Sequence, residues 1–136
     1  MPAISERSYP LCVCTIFDDG VRRYTLQSAT RLAIEAWLVH LNAWHHEIVA
    51  NGARPEMRIL LDLRSAKSLP IAPITQALPQ WQAAHPDCKL YIAAVAPNTS
   101  MIKLAQSMIG IIRMHNDFSF FEPTALDEAH DWLNQH

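Results

Sequence analysis

Glycine is scarce in this chain, with three in 136 residues. That scarcity excludes the glycine-rich loops that cradle phosphates, so neither a Rossmann nor a P-loop nucleotide site is encoded. There is no Gly-x-Ser-x-Gly elbow and no cysteine beside a histidine, which leaves no sequence motif for nucleophilic catalysis. Basic charge is not in excess: the net charge is -2 at pH 7, so no positive field favours nucleic acid. Long apolar runs are absent, as is a positively charged N-terminus followed by a signal-like core. The cytoplasm is the expected location. The cysteines number three, an odd count that suits a reducing compartment better than a disulfide framework. Of the seven histidines, His40, His45 and His46 share one helical stretch, but none is three or four residues from another. Two imidazoles need that separation to meet on one helix face, so no metal or other cofactor is expected.

What is present reads as a single α/β domain. Half of the residues are hydrophobic and 18% are charged, which suits one globular unit with a sizeable core. Residues 1–9 read as a loose N-terminal arm, and residues 10–136 as the domain. Leu11 to Phe17 is a β-branched and aromatic run that places Cys12 and Cys14 on one face as buried thiols. Asp18-Asp19-Gly20 is turn chemistry, and Val21 to Leu26 returns as the second strand of a hairpin. A long helix follows, opened by Thr25 or Ser28 and closed at Asn51-Gly52. Its apolar face is Ile34, Trp37, Leu41, Trp44 and Ile48, widened by Leu38, Val39 and Val49.

From Arg58 the chain alternates strands and helices. The strands are Arg58–Arg64, Lys89–Ala96 and Asp117–Phe121. This alternation predicts three βα units and a mixed sheet. Between the first two strands, Pro70, Pro73 and Pro79 interrupt a helical pattern. Pro79 predicts a kink or a break, and makes this region the best candidate for a mobile flap. The third helix, Met101 to Ile112, is apolar nearly all round, more than one buried stripe requires. The last helix opens at Thr124 and packs Leu126, Ala129 and Leu133 inward.

Candidate site residues follow from the strand ends, where ligands gather in open α/β sheets. Asp62, Arg64, Ser65, Lys67 and Ser68 combine a carboxylate, two cations and two hydroxyls near a helix entry, where free backbone N–H groups could bind an anion. Their structural alternative is an ordinary strand end in which Asp62 pairs with Arg64. Asn98, Thr99 and Ser100 occupy the same place after the next strand, where such side chains also cap helices. If the two strands are adjacent and parallel, the clusters flank one end of the sheet. Trp81, Met101, Leu104 and Met108 would line an apolar pocket between the proline-broken region and the third helix, since Met and Trp suit adaptable apolar sites.

From Tyr24 onward the chain resembles the SpoIIAA-like family, relatives of the STAS regulatory domains. The resemblance rests on Tyr24-Thr-Leu, on Ile59-Leu-Leu-Asp-Leu-Arg64, on Ile92-Ala-Ala-Val95, and on Phe120-Phe121 followed by Ala129-His-Asp-Trp132-Leu. It implies a sheet with helices mainly on one face, a non-catalytic role, and a link to membranes or lipid-like ligands. The related CRAL-TRIO domains bind lipids with a similar architecture. STAS anti-sigma antagonists carry an Asp-Ser-Ser or Asp-Ser-Thr phosphorylation motif after the third strand. Here that loop reads Leu63-Arg-Ser-Ala-Lys-Ser68, without the doublet or the preceding aspartate. Two functions stay open. One is a ligand-binding or membrane-associating module for a lipid-like or small amphipathic molecule. The other is a STAS-type protein-interaction module acting through residues 64–68. A homodimer through the third helix is the preferred assembly, with peripheral membrane contact as its competitor.

Overall fold

Two runs of sequence are apolar on both faces, and they form the middle of the sheet. They are Glu56–Asp62 (β4) and Lys89–Val95 (β5) in a computed structural model that describes residues 3–9, 11–104, 106 and 117–136. On one face of these strands lie Met57, Ile59, Leu61, Leu90, Ile92 and Ala94, and on the other Leu60, Ala93 and Val95. Strands buried on both sides lose the polar alternation of a surface strand. The remaining strands are Ala3–Tyr9 (β1), Cys12–Phe17 (β2), Val21–Leu26 (β3) and Asp117–Phe121 (β6). The order across the six-stranded sheet is β1-β2-β3-β4-β5-β6. The first two pairings are antiparallel and the last three are parallel. The sheet is therefore mixed, with the predicted hairpin closing at Gly20, whose φ of 89° suits glycine.

The strand β1 corrects the expectation of a loose arm. Ser5, Glu6, Arg7 and Ser8 are polar and exposed, so no apolar alternation marks them as a strand. Backbone pairing with β2 holds the segment instead, and its polar side chains protect an exposed sheet edge.

Helix Arg31–Ala50 (α1) is capped by Thr30, not by Thr25 or Ser28; the Thr30 Oγ1 accepts from the Ala33 N–H at 3.3 Å. Thr25 is still inside β3. The predicted face Ile34, Trp37, Leu41 and Trp44 is buried, whereas Val39 and Val49 point to solvent. Helix Ile71–Ala84 (α2) runs through Pro79 without a break. Proline removes one backbone bond and costs a few kcal/mol. Buried Ile74, Leu78 and Trp81 on both sides of Pro79 offset that loss. The helix Leu126–Asn134 (α3) starts after Ala125, which makes no side-chain cap, so Thr124 does not open it.

The helices do not all share a face. Successive crossovers that step across a sheet in one direction fall on one side of it, and α1 and α2 do so over the larger core. The helix α3 follows the last strand, is not a crossover, and covers the opposite face through Ala129 and Leu133. Of the predicted third helix, the described residues show a 3₁₀ turn at Thr99–Met101 leading into a helical start at 102–104. Most of it lies outside the described residues, and with it Met108 and the expected dimer or membrane face. Among the described residues, no helix is long and apolar enough to cross a membrane.

Candidate functional site

The two polar clusters do flank one end of the sheet. Strands β4 and β5 are parallel neighbours, and the Leu63 N–H continues their ladder to the Val95 carbonyl at 3.0 Å. Four of the clusters' side chains, those of Asp62, Arg64, Asn98 and Ser100, are committed to structure. Asp62 is buried, and its carboxylate takes the Arg64 Nε at 2.9 Å, the Arg64 Nη2 at 2.8 Å and the Arg64 backbone N–H at 3.1 Å. This bidentate pair is the strand-end arrangement weighed above. It raises the Arg64 pKa, through the hydrogen bonds to Asp62 against a smaller burial effect. Ser65 and Ser68 are exposed on the loop beyond it, and Lys67 between them sits at φ 67°. Asn98 caps the next turn, accepting from the Met101 N–H at 3.1 Å and from the Ser100 Oγ at 2.6 Å. Thr99, Ser100 and Leu104 are exposed, and Met101 is half-buried.

Trp81 is separated from these loops. It lies in the last turn of α2, about 15 Å of helix from Ile71, at 1.5 Å per residue. The cavity it lines has α1 as its other wall; the expected pocket against the third helix involves Met108 and lies largely outside the described residues. This groove between α1 and α2 has a volume of about 450 Å3. Ile34, Leu38 and Ala77 give it apolar surface between its ends, and Glu35 and Gln80 line it there as well. At one end the Arg31 Nη2 donates to the Gln76 Oε1 across the groove at 3.2 Å. At the other end the Trp81 Nε1 donates to the Asn42 Oδ1 at 2.6 Å.

Comparison with family models, with curated proteins and with solved structures gave no match. The groove therefore has to be understood from its own chemistry. Its size falls within the usual range of small-molecule sites, and its lining is evenly divided between apolar and polar side chains, which suits an amphipathic ligand better than a wholly apolar one.

Neither groove end was anticipated from the sequence: Arg31 and Gln76 form one, and three further residues belong to the other. Asn42 comes from α1, and behind Trp81 stand His45 and His85. The His85 ring stacks on Trp81 at 4.1 Å and meets His45 edge-on at 4.6 Å. Its Nδ1 bonds the Trp81 carbonyl at 2.7 Å. Helical spacing carried no signal here, because the two histidines sit on different helices. Burial, then the neighbouring His85 and His46, hold the His45 pKa below the usual imidazole value. His40, on the same helix, is lowered by burial and by Arg7.

A pH dependence follows. A base whose folded pKa is depressed binds its proton more readily in the unfolded chain. Its stabilising contribution is present above the unfolded value of about 6.5 and is lost as pH falls through it. The melting temperature should therefore drop between pH 7.5 and pH 5.5, before carboxylates titrate. His45→Asn should flatten that drop; an unchanged slope in the variant would show that the α1–α2 contact is indifferent to the charge of His45.

Proposed function

We propose that this chain is a non-catalytic ligand-binding module of SpoIIAA-like kind, and that it takes a small amphipathic, lipid-like molecule in the groove between α1 and α2. The observation that carries this reading is the distribution of polarity along the groove. Apolar side chains from both helices lie between two hydrogen-bonded polar pairs, one at each end, with Glu35 and Gln80 also on the walls. An alkyl segment would lie on Ile34, Leu38 and Ala77, displacing water from apolar surface. A carboxylate or similar head would meet Arg31, which otherwise contacts Gln76 and, at 4.0 Å, Glu35. The non-catalytic part is supported by what the serines do. Ser100 is spent on Asn98, and Ser65 stands exposed on its loop.

Native mass spectrometry of the purified protein tests for a retained amphipath. Titration with octanoate, followed at the Trp81 indole N–H resonance, tests the site. Saturable binding is expected, and Ala77→Phe, which fills the groove, should weaken it about tenfold or more. Equal binding by this variant, with its fold intact by circular dichroism, would remove the groove from the reading.

The loop at residues 64–68 supports the second reading, a STAS-type interaction surface. Ser65, Lys67 and Ser68 are exposed on a loop braced from below by the Asp62–Arg64 pair. Phosphate at Ser65 or Ser68 in protein from its native cells, detected by mass spectrometry, would favour it over the groove.

A further inference from the structure

The face of the sheet opposite the groove holds a second cavity, of about 320 Å3, under α3. Phe17, Arg23 and Leu60 line it from the sheet, and Asp127, His130 and Asp131 line it from the helix. The Arg23 guanidinium lies over the Phe17 ring at 5.5 Å, and Phe17 meets the His130 ring edge-on at 4.7 Å. Among the described residues Arg23 has no carboxylate within ion-pair distance, and its Nε is sealed from solvent with no hydrogen-bond partner. A guanidinium carries five donors and stays charged, so partial burial without a partner is costly.

Asp127 and Asp131 lie one turn apart on the same side of α3, exposed, and among the described residues they too form no ion pair. The third acid nearby is already committed. Asp19 takes the His130 Nε2 at 2.7 Å, the Asn134 Nδ2 at 2.9 Å and the Val21 N–H at 3.0 Å. Burial opposes ionisation of Asp19, but these donors outweigh it and hold its carboxyl below the usual value. His130 is thereby fixed in place as a wall of the cavity.

One cation and two carboxylates thus line a single cavity without pairing. The cation sits on the floor and the carboxylates at the rim. We propose that this cavity binds a small zwitterion of the basic amino-acid class, its carboxylate inward on Arg23 and its ammonium groups outward at Asp127 and Asp131. A fork of guanidinium donors suits a carboxylate, and charge-assisted bonds of this kind are stronger than neutral ones. The lining carries one more negative than positive charge, which favours a ligand with one more positive than negative group. The cavity lies across the sheet from the α1–α2 groove, so this site stands or falls independently of the amphipath.

The test is an NMR titration of the isotope-labelled protein with L-lysine, with acetate and n-butylamine as single-charge probes at equal ionic strength. Saturable shifts at Arg23 and His130 are expected with lysine. Each single-charge probe should bind at least about tenfold more weakly. Arg23→Gln and the double variant Asp127→Asn with Asp131→Asn should each lose about tenfold or more in lysine affinity. The double variant alters exposed positions and keeps the test open if Arg23→Gln does not fold. The proposal is overturned by no saturable shift up to about 10 mM lysine, by acetate binding as well as lysine, or by undiminished binding to the double variant.

Discussion

Raising the pH from 9 to 11 should destabilise this protein by several kcal/mol. Three buried thiols and one buried phenol cause it. Burial, then the neighbouring Cys14, pushes the Cys12 thiol up to about 12. Burial pushes Cys88 up to about 11, and raises Cys14 and Tyr24 as well. The sign follows from proton counting. Above the ordinary thiol value of 9.0 the unfolded chain releases protons that the folded state keeps. The folded state then binds more protons, and its stability falls as pH rises, by about 1.4 kcal/mol per pH unit for each such group. The contribution is intact below pH 9 and is lost through the window that ends near 11 for Cys88 and near 12 for Cys12. Urea unfolding under reducing agent at pH 8, 9, 10 and 11 measures the slope. Cys12→Ala with Cys88→Ala should flatten it. A profile that is level to pH 11 would mean that these side chains reach water far more easily than their burial implies.

Replacing Trp81 by alanine should cost about 3–5 kcal/mol, a large share of the stability of an ordinary domain. Trp81 is 6% exposed, stacks on His85, and hydrogen-bonds Asn42 across the helix pair. Alanine would lose the apolar transfer term, leave a cavity between α1 and α2, and leave the Asn42 carbonyl without its donor. Trp81→Phe separates these effects. It keeps most of the apolar volume and removes the hydrogen bond, so about 1 kcal/mol is expected. Both values come from denaturant midpoints at constant slope. In the same experiment octanoate should stabilise the wild type and not Trp81→Ala, because bound ligand adds to folding free energy by mass action. An alanine variant within about 1 kcal/mol of wild type would show that the two helices pack without this ring.

Much of the architecture was legible as local pattern. The central strands announce themselves because double-sided burial demands continuous apolar runs, as in Ile59-Leu60-Leu61 and Ile92-Ala93-Ala94. The buried stripe of α1 follows from spacing of three and four. The pairing of Asp62 with Arg64 was legible too, but its basis was not: the strand ends at Asp62, and Arg64 bonds the carboxylate from the following 3₁₀ turn. The edge strand β1 was not, because an exposed polar strand is held by backbone pairing, which leaves no mark on side-chain order. The continuity of α2 was not, because local propensity assigns Pro79 its full cost, whereas burial of Trp81 and Ile74 is a tertiary gain.

The amino-acid order by itself determined which segments became strands and helices in the core, the hairpin turn at Gly20, and the polar strand ends around Asp62 and Asn98. Each depends on residues within a few positions of one another. The tertiary structure alone decided which side α3 would take, which helix would face Trp81, and which charges would share a cavity. Asn42 meets Trp81, His45 meets His85 and Asp19 meets His130 only because the chain folds back across long separations. Such meetings depend on crossover direction and helix packing, and no short window of sequence contains both partners.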